Sequence, residues 1–249
     1  MLKPALEIVS DSWRLYFNNW RKLLPFLIIR FLPNVILSIL GILFLYITTY
    51  LPSLALATNL IIIMVFAANI ILAIWSKTAI IKTANEVLLG QTTPWKTTFS
   101  NTSVFIGPVI LATVLWFLII VGGSLLLIIP GLIFAVWYYF FLYAVVLDNM
   151  QGMSALSLSR TLVRGRWWRM AWRMVVPTFI FGCLHIIISM VIINLISLIP
   201  MPIFIEYTIG SIIATLITTL TLPLFIGANL ILYNSAKQNP ATPFTPPQL

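Results

Sequence analysis

Residues Ile129–Met170 read IPGLIFAVWYYFFLYAVVLDNMQGMSALSLSRTLVRGRWWRM. The stretch opens on Pro130-Gly131, passes through an apolar, aromatic-rich run to Asp148, and closes in Arg164, Gly165, Arg166, Trp167, Trp168 and Arg169. A Pro-Gly pair is strong turn punctuation. A long apolar run is what a bilayer crossing needs. A basic amphipathic segment carrying Trp suits a membrane surface. In one run the chain is expected to turn, cross a membrane and lay a basic helix on the far surface.

The rest of the chain repeats that composition. Of 249 residues, 61% are hydrophobic and 8% charged, against roughly 25% charged in a typical soluble domain. Six apolar stretches approach or exceed the roughly 20 helical residues that cross a hydrocarbon core of about 30 Å. The formal net charge is +9. Its basic residues flank apolar spans, which points to membrane topology and not to nucleic acid. The single cysteine, Cys183, lies in an apolar span and can form no internal disulfide. The first 22 residues are amphipathic and lead into an apolar run too long for the core of a cleavable signal peptide.

Taken in order, Leu2, Leu6, Val9, Trp13, Tyr16, Phe17 and Trp20 recur every three or four residues and draw one helix face. With Trp and Tyr on that face, a helix lying in the membrane interface is expected. Spans are expected at about 23–50, 54–74, from 103 onwards, 132–147, 175–199 and 205–233. The turn between the third and fourth is expected at Pro130-Gly131, with Gly122-Gly123-Ser124 as the alternative. Arg30 lies inside the first span. It either snorkels to the headgroups or meets a partner, for which Asp148 is the carboxylate expected at similar depth.

Lys3, Arg14, Arg21 and Lys22 precede span one, Lys77, Lys82 and Lys96 follow span two, Arg160 to Arg173 follow span four, and Lys237 follows span six. The other three turns hold no Lys or Arg. The positive-inside rule then places both termini in the cytoplasm. Ser12–Leu23 also aligns without gaps on Ser159–Met170, matching Ser12, Leu15 and Trp20 to Ser159, Leu162 and Trp167. Pro94-Trp95-Lys96 holds the corresponding place before span three. The expected fold is therefore an all-α integral membrane protein, with six transmembrane helices as three hairpins, each preceded by an amphipathic interfacial helix. Residues 1–233 form a single domain of pseudo-repeats, about 1–74, 75–148 and 149–233. Residues 234–249 are expected to be a disordered, Pro-rich cytoplasmic tail.

The opening stretch resembles a broad family of bacterial membrane proteins of unknown function, the YciC-like proteins. It is also similar to the membrane domain attached to some glycerophosphodiester phosphodiesterases. Ile129-Pro130-Gly131, Tyr138, Tyr139, Phe140, Asp148, Ala155-Leu156, Ser159, Leu162, Gly165 and Trp168 carry the resemblance. Where the family often has a basic residue ahead of the aromatic pair, this chain has Trp137. The resemblance implies six spans in a bacterial cytoplasmic membrane and brings no catalytic residues. The His, Glu and Asp of the phosphodiesterase domain are missing from this chain.

The chemistry-bearing residues are few. One histidine, His185, falls in span five, and the five carboxylates are Glu7, Asp11, Glu86, Asp148 and Glu206, no two spaced as a pair. There is no metal-ligand cluster, nucleophile motif or phosphate loop. No catalytic residue, cofactor or metal is expected. Arg160, Arg164, Arg166, Arg169, Arg173, Trp167 and Trp168 are candidate lipid-headgroup contacts, since basic residues at a surface attract anionic lipid. They are equally suited to anchoring the span. The expected function is non-enzymatic binding of anionic lipid by a cytoplasmic collar of interfacial helices that organises the membrane. Protein partners are not legible. The alternative is a secondary transporter or exporter of a small apolar or zwitterionic substrate, with Arg30, Asp148, His185 and Asn194 as its intramembrane polar candidates.

Overall fold

The computed structural model describes residues 2–126, 128–200 and 202–240. It is helical, with no strand among the described residues. In chain order the helices are α1 (Ala5–Tyr50), α2 (Ala55–Leu88), α3 (Trp95–Thr102), α4 (Ile106–Leu126), α5 (Ile128–Trp137), α6 (Phe141–Asp148), α7 (Gly152–Val163), α8 (Trp167–Ser197) and α9 (Ile203–Gln238). Six helical stretches are long and apolar enough to cross a membrane: α1, α2, α3 running into α4, α5 with α6, α8, and α9. The protein is a multi-pass membrane protein.

Large apolar side chains line the outside, among them Leu32, Leu60, Phe117, Phe179 and Ile187. The interior mixes large apolar side chains such as Phe26, Ile80, Phe140 and Leu230 with small and hydroxyl-bearing ones: Ser12, Ser76, Ala79, Thr83, Ala112 and Ser235 are buried. Lipid is as apolar as leucine, so helices gain little by hiding large apolar chains from it. Small residues let backbones approach closely. At Gly227 of α9, an added Cβ would stand 3.4 Å from Ser12 Cβ and 3.5 Å from Leu15 Cδ2, so α1 and α9 cross there in close contact. α9 packs on α1, α8 and α2. In its C-terminal half Leu230, Leu232, Tyr233 and Ala236 are fully buried.

Three expectations are corrected. First, neither Gly122–Ser124 nor Pro130-Gly131 is a turn: the former lies within α4 and the latter within α5. The glycines serve a different purpose. A Cβ on Gly131 would collide with the Ser124 side chain, and one on Gly123 would meet Phe134 at 2.7 Å. They let α4 and α5 pass close together. Second, α9 continues through Asn234 to Gln238, into the stretch expected to be disordered. Ser235 and Ala236 are buried there, and that packing holds the helix. Residues 241–249 of the expected tail lie outside the described residues. Third, the fourth span is not one helix. It breaks at the turn Tyr138–Phe140 between α5 and α6.

That break leaves backbone groups without helical partners, which is expensive away from water. Ser159 of α7 repairs it. Its hydroxyl accepts from Phe140 N at 2.9 Å and donates to Trp137 O at 2.9 Å. Ser159 is fully buried. Ser159→Ala leaves a buried amide and a buried carbonyl unpaired. It should lower stability by about 1–3 kcal/mol. Ser157→Ala, an exposed neighbour, should change it by less than about 0.5 kcal/mol. Chemical unfolding in detergent compares the two, and equal stabilities would remove this role for Ser159.

Candidate functional site

The basic segment divides by function. Arg164 and Gly165 form the corner between α7 and α8, and Gly165 has φ +77°, a left-handed conformation that glycine adopts without strain. The corner turns Arg166 inward and Arg164 outward. Arg166 is 7% exposed. Its Nε donates to Leu162 O at 2.8 Å, its Nη2 donates to Ala236 O at 2.9 Å, and its Nη1 donates to Asn239 O. These carbonyls lie at the ends of α7 and α9, where helices run out of internal donors and carry partial negative charge. Arg166 is therefore a clamp joining two helix ends and not an exposed headgroup residue.

Arg173 is likewise engaged within the protein. Its Nε donates to Lys3 O at 2.7 Å and its Nη1 to Arg169 O at 2.9 Å. The Lys3 amide in turn donates to Ser235 Oγ at 3.0 Å, so the start of the chain is tied to α8 and α9 together. The Lys3 ammonium donates to Asp11 at 2.6 Å, and that bond holds it above the usual lysine range. Trp167 is half-buried, with its indole N–H donating to Ile133 O at 3.4 Å.

The outward residues remain available. Trp168 is 79% exposed and Trp172 64% exposed, and Arg160, Arg164 and Arg169 are exposed. Arg160 lies over the Trp137 ring at 4.6 Å, a cation–π contact. Ile129, Ile133 and Trp137 of α5 line a groove of about 710 Å³ together with Arg164, Arg166, Trp167, Trp168 and Arg169 of the α7–α8 corner and the start of α8. The groove therefore combines exposed cations with aliphatic and aromatic surface.

The intramembrane candidates are not brought together. Asp148 accepts from Tyr233 Oη and pairs with Lys237, joining α6 to α9. Arg30 therefore does not meet Asp148, and donates instead to Ala73 O of α2 at 3.3 Å. His185 Nδ1 lies 3.2 Å from Thr221 Oγ1. The Thr221 hydroxyl is also within hydrogen-bond reach of Ile217 O at 2.9 Å, and the His185–Thr221 pair links α8 to α9. Asn194 is exposed and donates to Met190 O in its own helix. Tyr233, which completes the Asp148 contact, and Ser235, which meets the Lys3 amide, were not singled out by sequence reasoning, and Lys237 was read only as a flanking charge. Their partners lie far away in sequence, and no local pattern marks them.

If Arg166 is structural and Arg164 is not, their removal should have opposite consequences. Arg166→Gln should cost at least about 2 kcal/mol, the scale of a lost charged hydrogen bond. Arg164→Gln should shift stability by no more than about 0.5 kcal/mol. Thermal unfolding in one neutral detergent compares them, and matched midpoints would refute the division.

No curated protein and no solved structure matches this chain. Residues 96–235 match the family described as a domain of unknown function, DUF7847. The match runs from α3 through the α7–α8 corner to the last turns of α9 and covers more than half of the sequence, so the chain belongs to the DUF7847 family.

Proposed function

We propose that this is a non-enzymatic membrane protein that binds anionic lipid at the α5–α8 groove and through it organises the membrane around the bundle. The groove carries the reading: exposed Arg164, Arg169 and Trp168 line it together with Ile129, Ile133 and Trp137. An anionic headgroup would sit between the two arginines, with its acyl chains along α5. Each basic residue at such a surface contributes about 1 kcal/mol toward anionic lipid.

The wider arrangement we propose is three hairpins in one orientation, each led by an interfacial helix, with both termini in the cytoplasm. Burial supports it at the N-terminus. Ile8, Ser12 and Leu15 of α1 are buried, while Leu6, Trp13, Phe17 and Trp20 stay exposed, as a helix lying between a bundle and lipid requires. The alignment that pairs Ser12 with Ser159 also pairs the starts of α1 and α7, Ala5 with Gly152. It pairs Asn19, the non-helical residue in α1, with Arg166, the residue before α8. These coincidences favour repeated units. Under this reading Arg160 contributes charge next to the groove, while Arg166 and Arg173 hold the scaffold.

Protein released from its own membrane and weighed intact should retain anionic phospholipid. Arg164→Gln combined with Arg169→Gln should weaken that binding by about 30-fold, the equivalent of 2 kcal/mol, with unfolding temperature unchanged. Equal retention by the double variant, or equal retention of zwitterionic lipid, would sink the proposal.

A further inference from the structure

A second cavity, of about 430 Å³, lies inside the bundle between α2, α4, α6 and α9, apart from the groove. Most of its wall is apolar, including Ile74, Val109, Phe141, Leu222 and Phe225. Two of its polar groups have no partner. Lys77, half-buried, lines it with neither a hydrogen bond nor an ion pair among the described residues. Trp116 lines it too, and its indole N–H is buried without an acceptor. Both are donors only. The other polar lining groups are satisfied differently: Thr113 donates to Val109 O at 2.7 Å, and the Asn229 amide donates to Tyr139 Oη at 3.0 Å and to Phe225 O at 2.9 Å.

The charge is also uncompensated. Arg30 is the charged neighbour of Lys77 and has the same sign. Glu7 and Asp11 face Lys3, Glu86 accepts from Thr93, and Asp148 faces Lys237 and Tyr233. Glu206 lies sixteen residues before Leu222 on α9, about 24 Å along a helix. Two cations in an apolar setting without a carboxylate are costly to hold. An anion would relieve both them and the orphaned indole N–H.

We infer that this cavity binds an anionic amphiphile, its acidic, acceptor-rich head at Lys77 and Trp116 and its apolar body along Phe141, Leu222 and Phe225. The volume falls in the range of small-ligand pockets, about 300–1,000 Å³. A head that accepts, a carboxylate or a phosphate, matches the two unpartnered donors of the cavity, Lys77 and Trp116. An apolar wall distinguishes an amphiphile from a free inorganic anion. This site is independent of the groove and of the reading given to it.

The test uses the full chain in neutral detergent, with dodecanoate, dodecanol and inorganic phosphate as probes. Binding is followed by equilibrium dialysis and intact mass. One dodecanoate should bind per chain and dodecanol should not. Lys77→Met should weaken dodecanoate by about tenfold or more, the scale of one charge-assisted hydrogen bond, and Trp116→Phe by several-fold. The Arg164→Gln/Arg169→Gln double variant should bind dodecanoate as the parent does, so a failure at the groove is read separately. If Lys77→Met does not fold, Trp116→Phe decides alone. Dodecanol binding as tightly as dodecanoate would overturn the site, as would undiminished dodecanoate binding to the variants that fold. Inorganic phosphate displacing dodecanoate at equal concentration would overturn the amphiphile and leave a free anion as the occupant.

Discussion

A backbone carbonyl that has lost its helical donor must find another one, and away from water the protein itself has to supply it. That constraint recurs wherever this bundle departs from straight helices. The break between α5 and α6 is closed by the Ser159 hydroxyl. The ends of α7 and α9 are closed by the guanidinium of Arg166. The opening residues are closed by Arg173 and Ser235. The donors come from α7, the α7–α8 corner and α8, with Ser235 of α9 accepting from the Lys3 amide, and together they fix the corner. The groove depends on that corner, because the turn that buries Arg166 is the one that leaves Arg164 and Trp168 outside.

Charge is distributed by the same logic of neighbours. Four of the five carboxylates have a cation or a hydroxyl donor, and the contacts of Asp148 link α6 to α9. The basic residues outnumber them, 14 against 5. Three environments within the surplus are distinct: clamps on carbonyls (Arg166, Arg173), exposed cations near Trp168 (Arg160, Arg164, Arg169), and Lys77 with Arg30 within the bundle. A single net charge thus conceals three kinds of interaction, and only the exposed group follows from composition and position along the chain.

The spans were legible because each requires a long apolar run, and no tertiary contact can supply or remove one. The separate fates of Arg164 and Arg166 were not. They are two residues apart, equal in charge, and in the same Trp-rich segment. What distinguishes them is the arrival of Ala236 and Asn239, some seventy residues later. Pro130-Gly131 misled for a related reason. As local punctuation it signals a turn, but Gly131 is needed for the contact with Ser124, across the hairpin. Lys77 was read as a flanking charge, since nothing near it in sequence reveals that Trp116 shares its cavity. Ser159 was visible through the internal repeat and the family resemblance, and Gly165 through its place in the basic segment and that resemblance. Their physical reasons, a broken helix and a positive φ, belong to the folded backbone.

The Arg166 clamp also orders events in time. Its acceptors at Ala236 and Asn239 lie 70 and 73 residues further along the chain. At synthesis rates of about 5–20 residues per second, roughly 4–15 seconds separate the making of the arginine from the making of its last acceptor. During that interval α7 and α8 exist, but their corner has no lock. The α7–α8 corner therefore gains this lock only once the final turns of α9 have been made.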